Sequence, residues 1–273
     1  MVRSCFPESL RGNVHFVTEP EAALVSLTQS GQLQALGDKL TLVVDVGGGT
    51  TDFVAGRWTA AGLQDVRTYG EAHGGGLFDS DLAAYVAEVL RVPEMQRAAV
   101  WTELCHHGRE LKEALSRQMR MDDSQPVAMK IMLEVDGKNS APTVLSQRLQ
   151  FSHEEFEART QKTADAFERL VLRALVQMDL RRSDIGHVVL VGGGANLYLV
   201  PRLLEEVFEG KAPVVYGDPP EETIVRGAAL WYVRPREVSG PIPITKPEPK
   251  PHTEPVLSSR ARTLSDIRMF RVE

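Results

Sequence analysis

The sequence predicts a layered α/β domain, and three features carry that expectation. Leu40–Val46 is a continuous apolar run that ends in glycines, the pattern of a strand buried on both faces. His187–Val191 repeats the pattern, again running into three glycines. Around these runs, from about residue 14 to 233, strand-like and helix-like periodicities alternate, as they do in sheets covered by helices.

The elements follow in chain order. After Leu40–Val46, Asp52–Trp58 and Leu63–Tyr69 read as the next strands, joined by a short turn at Ala61-Gly62. The segment 127–150 sets Val127, Met129, Ile131, Leu133 and Val135 at alternate positions, with Val144, Leu145 and Leu149 beyond them. That spacing predicts a hairpin embedded between helices. Ser152, followed three residues later by Glu155, forms a capping box. It opens an amphipathic helix through Phe156, Ala164, Phe167, Leu170, Val171, Leu175 and Met178. A strand at His187–Val191, a helix near Leu197–Phe208, a short strand at Pro213–Tyr216 and a helix over Glu221–Tyr232 complete the series.

Composition changes near residue 235. Pro235–Pro255 holds seven prolines in 21 positions, with few backbone donors and little to bury, which predicts an extended tail over 234–273. Leu264, Ile267, Met269 and Phe270 leave open a short terminal helix or docking peptide there, against a frayed terminus. The chain has 273 residues, 31 basic and 37 acidic, for a net charge of -6. No Lys/Arg-rich run offsets that balance, which disfavours a dedicated nucleic-acid binder. No run reaches the roughly 18 to 20 apolar residues that span a bilayer, and the start lacks the apolar core of a secretory signal. Two cysteines, Cys5 and Cys105, cannot build a disulfide framework, so the expectation is a soluble protein in a reduced, cytoplasmic setting.

The densest chemical signal is Asp45-Val46-Gly47-Gly48-Gly49-Thr50-Thr51-Asp52. A buried strand delivers one carboxylate, three glycines and two hydroxyls, and a second carboxylate leads into the next strand. Glycines let the backbone approach a ligand, and successive N–H groups form a concave anion site. Asp45 is placed to supply an oxygen to hydrated Mg2+, and Thr50 and Thr51 to bond phosphate oxygens or water. The plainer alternative is a tight hairpin whose glycines only make the turn. A second loop, Gly192-Gly193-Gly194-Ala195-Asn196, follows the His187–Val191 strand and suits either ligand contact or close helix–strand packing. Neither loop has G-x-G-x-x-G or G-x-x-x-x-G-K-[ST] spacing, so dinucleotide and P-loop readings fail. Cys105-His106-His107 suggests either a metal site or a solvated helix end. Trp58, Trp101 and Trp231 read as core or edge packing, and His73 and His153 have no identifiable partner.

These motifs carry a resemblance. Asp45–Asp52 is similar to the second phosphate loop of the actin-like ATPase superfamily, and most of all to that of the DnaK-type 70-kDa heat-shock protein chaperone family. Phe16-Val17-Thr18-Glu19-Pro20-Glu21-Ala22-Ala23 resembles its "NEPTAAA" segment, and Gly74-Gly75-Gly76-Leu77-Phe78-Asp79 its "GGEDFD". Arg109–Ser116 resembles the helix whose Lys and Ser contact the nucleoside. Val189–Asn196 resembles the adenosine loop, and Pro220–Ala229 the "NPDEAVAYGAA" helix.

The resemblance implies an actin-like ATPase (ribonuclease H-like) fold with an incomplete first lobe and an α+β upper subdomain. Its divisions would be 1–70, a first-lobe remnant with the phosphate loop; 71–185, linking helices and the upper subdomain; 186–233, the adenosine-loop part of the second lobe; and 234–273, the tail. It implies ATP/ADP and Mg2+ as cofactors. Glu19 would lie beside the γ-phosphate, with Asp45 on Mg2+ through water and Asp52 completing the acidic cluster. Gly47, Gly48, Gly49, Thr50 and Thr51 would cradle the phosphates. Lys112 and Ser116 would reach the nucleoside, and Gly192, Gly193 and Gly194 would lie under the adenosine.

The partners implied are nucleotide and unfolded polypeptides or co-chaperones, in a cytoplasmic, stress-responsive chaperone. Three departures stand out: Glu113 replaces the usual arginine after the lysine, and Gly194 and Asn196 replace serine and arginine. The family's first phosphate loop and early catalytic lysine have no counterpart, nor does its peptide-binding domain. The expectation is an N-terminally truncated nucleotide-binding domain with weak or no ATPase activity alone and an apolar face where strands are missing. Two alternatives stay open, an actin-like cytoskeletal or division scaffold and a non-catalytic interaction module.

Overall fold

The computed structural model describes residues 16–34, 39–121, 125–136, 142–217 and 219–233. Cys5, the proline-rich tail and the helix considered near its end lie outside the described residues.

The order begins with helix α1 (Glu19–Gln29), which has Thr18 as N-cap and a proline in its first turn, both good helix-start chemistry. Strands β1 (Leu40–Val46), β2 (Thr51–Thr59) and β3 (Gly62–Glu71) follow, then helices α2 (Gly75–Val89), α3 (Glu94–Arg97) and α4 (Trp101–Arg120). The hairpin β4 (Val127–Asp136) and β5 (Pro142–Phe151) leads to α5 (His153–Gln177) and β6 (Ile185–Val191). After a 3-10 turn at Gly193–Asn196 come α6 (Leu199–Val207), β7 (Val214–Val215) and α7 (Thr223–Val233). The expected strands and the long helix are all present. At α5 the cap is one-sided: the Glu155 N–H donates to Ser152 Oγ at 3.2 Å.

Five strands form one sheet in the order β3-β2-β1-β6-β7. β1 to β3 form an antiparallel meander, and β6 and β7 run parallel to β1. Segments 40–71 and 185–215, far apart in sequence, therefore share a sheet, and both glycine loops leave from its same end. β1 is buried on both faces because it lies at the sheet's centre. Leu42, Val44, Val188 and Leu190 join a core with Phe167, Leu170 and Leu204 of α5 and α6. Val43, Val189 and Val191 point the other way, into a second core with Leu24 and Leu27 of α1 and with Ile224 and Leu230 of α7. The continuous apolar runs of β1 and β6 are what a sheet covered on both faces requires.

A second layer system is built from α2, α4 and the two-stranded β4–β5 sheet. Leu104, Leu111 and Leu115 of α4 are buried with Phe78 and Leu82 of α2 and with Ile131 and Leu133 of β4. This α+β unit stands over the glycine-loop end of the larger sheet and forms one wall of a cleft. Trp58 packs in the core, with its Nε1–H donating to Thr28 Oγ1 at 2.9 Å. The sheet edge at β3 is guarded by charge: Asp65 and Arg67 flank half-exposed Val66, which blunts edge-to-edge pairing.

Candidate functional site

Residues 47–50 make the turn of the β1–β2 hairpin, with the Gly47 N–H donating to Thr50 O at 2.9 Å. A hairpin turn is what the plainer alternative requires, but this one is held from outside. The Gly75 N–H donates to Gly47 O at 2.9 Å and the Gly76 N–H to Gly48 O at 2.7 Å. The first turn of α2 thus grips two carbonyls of the hairpin. Such close approach excludes a side chain at Gly74, where a Cβ would lie 2.6 Å from Gly47 O.

Peptide geometry then fixes what the turn presents. A trans peptide carries its C=O and N–H on opposite sides. With Gly47 O and Gly48 O facing α2, the N–H groups of Gly48 and Gly49 face away from it. Among the described residues no acceptor takes a hydrogen bond from the N–H of Gly48, Gly49 or Thr50, and all three residues are exposed. Three donors without a protein acceptor on a short turn are the kind of group an anion needs.

Beside the turn lies an acidic cluster. Asp45 and Asp52 are cross-strand partners, and Glu19, in the first turn of α1, hydrogen-bonds the Asp45 carboxyl. Burial, then repulsion from Glu19 and Asp52, pushes the Asp45 carboxyl up to about 6, as expected where like charges crowd a half-buried group. The Thr50 hydroxyl donates to Asp52 Oδ2 at 3.3 Å. Among the described residues no three His, Cys, Asp or Glu side chains converge tightly enough to cage a metal directly. An under-compensated carboxylate pair without a cage fits a hydrated cation, because Mg2+ keeps several waters and is held through one or two carboxylates.

On the other side of the turn a cleft of about 520 Å³ opens between the sheet end and α4. Gly47 and Gly48, Gly193 and Gly194, and Lys112, Glu113, Ser116 and Arg117 line it. The far end is spanned by the Arg120 guanidinium, which donates to Asn196 Oδ1 at 2.6 Å. Carboxylates thus flank the turn on one side, and on the other the α4 cations Lys112 and Arg117 line the cleft together with Asp79 and Glu113, their ion-pair partners. That polarity suits a ligand with an anionic tail and a bulky head. A larger, shallower depression lies at the opposite end of the sheet. Its Arg67 already serves the Met178 and Asp179 carbonyls at the end of α5.

The remaining sequence-selected residues take distinct places. Gly193 faces open cleft, with room for a Cβ. Gly194 packs on Val46, and Gly192 has φ of 80° and lies against Asp45 rather than lining the cleft. Thr51 is fully buried and its hydroxyl donates to His73 O, so it does not reach a ligand as expected. The Ser116 hydroxyl donates to Lys112 O at 2.8 Å within α4, which leaves only its lone pairs toward the cleft. His107 bridges Glu110 and Met132 O, both at 3.0 Å, and so braces α4 on β4 instead of binding metal. His153 has a partner after all, Glu154 at 3.1 Å. Asp79 closes the Gly74–Asp79 motif, but the sequence assigns it no role; the Arg120–Asn196 bridge has no signal in the sequence.

A family model described as Hsp70 protein matches residues 14–232. The chain belongs to the Hsp70 family. Its mixed sheet and α+β unit are accordingly those of the family's actin-like ATPase fold. The chain is 28% identical to "Chaperone protein DnaK" of Thermosipho africanus (strain TCF52B) over 230 residues, 80% of this chain and 35% of that protein. It is 26% identical to "Chaperone protein DnaK" of Thermosipho melanesiensis (strain DSM 12029 / CIP 104789 / BI429) over the same shares. The chain spans about a third of the length of these Hsp70 relatives. Among the described residues no helix is long and apolar enough to cross a membrane.

Proposed function

We propose that this chain binds ATP or ADP with Mg2+ in the cleft, and that it is the nucleotide-binding part of an Hsp70-type chaperone acting on unfolded polypeptides in the cytoplasm. The observation that carries the reading is the Gly47–Thr50 turn. Its three free N–H donors sit between an acidic cluster and a cleft whose wall carries Lys112, Arg117 and Arg120. Phosphate oxygens accept from Gly48, Gly49 and Thr50, a bonding mode that is charge-assisted and so stronger than a neutral one. The nucleoside lies between Gly193-Gly194 below and α4 above. Bound Mg2+ supplies neutralisation of phosphate charge and, with it, of the raised Asp45. Glu19 and Asp52 orient water beside the phosphates, as positioning and electrostatics dominate phosphoryl transfer.

Turnover by this chain alone is expected to be negligible. Calorimetric titration tests the reading. One-site binding of Mg-ADP is expected, with Asp45→Ala weakening it at least tenfold in Mg2+ and much less in EDTA. No saturable heat up to millimolar nucleotide contradicts it.

A further inference from the structure

We infer that Asp79 is a positioning residue for the glycine turn, acting through Lys112 and a single peptide group, Gly75 C=O to Gly76 N–H. Asp79 is 3% exposed, so its carboxylate depends on partners for the stabilisation that water would give. Two cations meet it: Lys112 Nζ at Oδ1, and Arg109 Nε at Oδ2, 3.2 Å away. The two differ in what else they do. Arg109 is 60% exposed at its side chain, whereas Lys112 is 13% exposed and its ammonium also donates to Gly75 O at 3.1 Å.

That second bond lies on the peptide whose N–H donates to Gly48 O at 2.7 Å. A cation on the oxygen of an amide draws electron density toward it and makes the N–H a stronger donor, the mutual polarisation of hydrogen-bond chains. The carboxylate fixes the ammonium, the ammonium polarises the peptide, and the peptide holds the Gly48 carbonyl. The held carbonyl in turn aims the Gly49 N–H away from α2. Lys112 therefore acts on the turn through the α2 peptide at the wall of the cleft. Asp79 holds its ammonium on that peptide instead of leaving it free to reach a ligand. The consequence for ligands rests on the nucleotide reading above; the consequence for the turn does not.

The test uses the full chain with Asp79→Asn, Lys112→Met and Arg109→Ala, each first shown to unfold cooperatively. In nucleotide-free protein, amide exchange at Gly76 is expected to speed up at least tenfold in D79N and in K112M and to stay within twofold in R109A. With ligand, D79N and K112M are expected to lower ADP affinity at least tenfold while changing adenosine affinity less than threefold. The double variant should lose no more than either single, as for residues acting in one chain. Unchanged Gly76 exchange in both single variants overturns the proposal. So does an equal loss of ADP and adenosine in K112M with D79N unaffected, which is the signature of a direct nucleoside contact. If the unaltered chain binds neither ligand while the Gly76 result holds, the nucleotide reading fails and the positioning role stands.

Discussion

Gly192 and Gly193 are neighbours with opposite tolerance for a side chain. Gly192 has φ of 80°, and a Cβ there would lie 2.3 Å from Asp45 Oδ1. Gly192→Ala is expected to cost about 2–3 kcal/mol in chemical denaturation, combining backbone strain with a clash. Gly193 has no atom within 4 Å of that position, so Gly193→Ala should change stability by less than about 0.5 kcal/mol. The added methyl enters the cleft, and nucleotide affinity should fall severalfold. Sequence alone weighted the three glycines equally, because the difference lies in what β1 places opposite each one.

Asp45 gives a pH signature. Its folded-state value is raised to about 6, so protonated Asp45 is favoured by the fold and ionised Asp45 is penalised. The stability linked to that proton is complete below about pH 4 and is lost as pH rises through about 6. Asp45→Asn cannot titrate and still offers Glu19 a donor. It should therefore be more stable than the unaltered chain at pH 7.5, by about 1–2 kcal/mol once partial exposure is discounted. The two should converge at pH 4. Thermal unfolding at both pH values decides it, and destabilisation at pH 7.5 runs against the account.

Among elements, strands were the most legible and helices of the upper unit the least. β1 and β6 announce themselves because a strand buried on both faces has no polar positions. β4 and β5 show alternation because one face is open, clearly in β4 and weakly in β5, where Thr143 and Gln147 occupy inner-face positions. α2 and α4 were visible only through their resemblance motifs. The first turn of α2 is held by the glycine hairpin and has no side-chain cap, and Val100 caps α4 without a side-chain bond. Local signals cannot mark an end that tertiary contact defines.

The α1–α7 pair supplies the test at this scale. A Cβ at Gly227 would fall 1.6 Å from Ala22 O, so the two helices pack backbone to backbone. Gly227→Ala must drive them apart and strip Leu24 and Leu27 of their partners. A loss of about 3 kcal/mol or more is expected, since overpacking here meets backbone rather than a flexible side chain. Unfolding by denaturant with a midpoint within error of the unaltered chain is the opposing result.

For the whole molecule, one sheet gathers the site from segments more than a hundred residues apart. β1 carries the turn, β6 carries the second glycine loop, and their parallel register brings the loops to one end. Pattern reading found both loops and the carboxylates but not that they share a sheet, since pairing between β1 and β6 leaves no local trace. It gives Thr51 an outward role that its buried hydroxyl, bonded to His73 O, does not fill, because a hydroxyl in a motif looks the same whether its proton faces a ligand or the backbone. Binding without useful catalysis is expected of the chain as a whole. Phosphate release from ATP by the isolated chain should be indistinguishable from buffer under conditions that saturate binding. Turnover abolished by Asp45→Ala would show that one lobe suffices.

The central claim is that the turn's outward N–H groups hold the phosphates. Backbone amide NMR of the chain, titrated with Mg-ADP and separately with adenosine, addresses it directly. The Gly48, Gly49 and Thr50 amides are expected to shift and gain protection from exchange with Mg-ADP, while adenosine moves Gly193 and Gly194 but leaves the turn unchanged. Saturation by Mg-ADP with those three amides unmoved would contradict it.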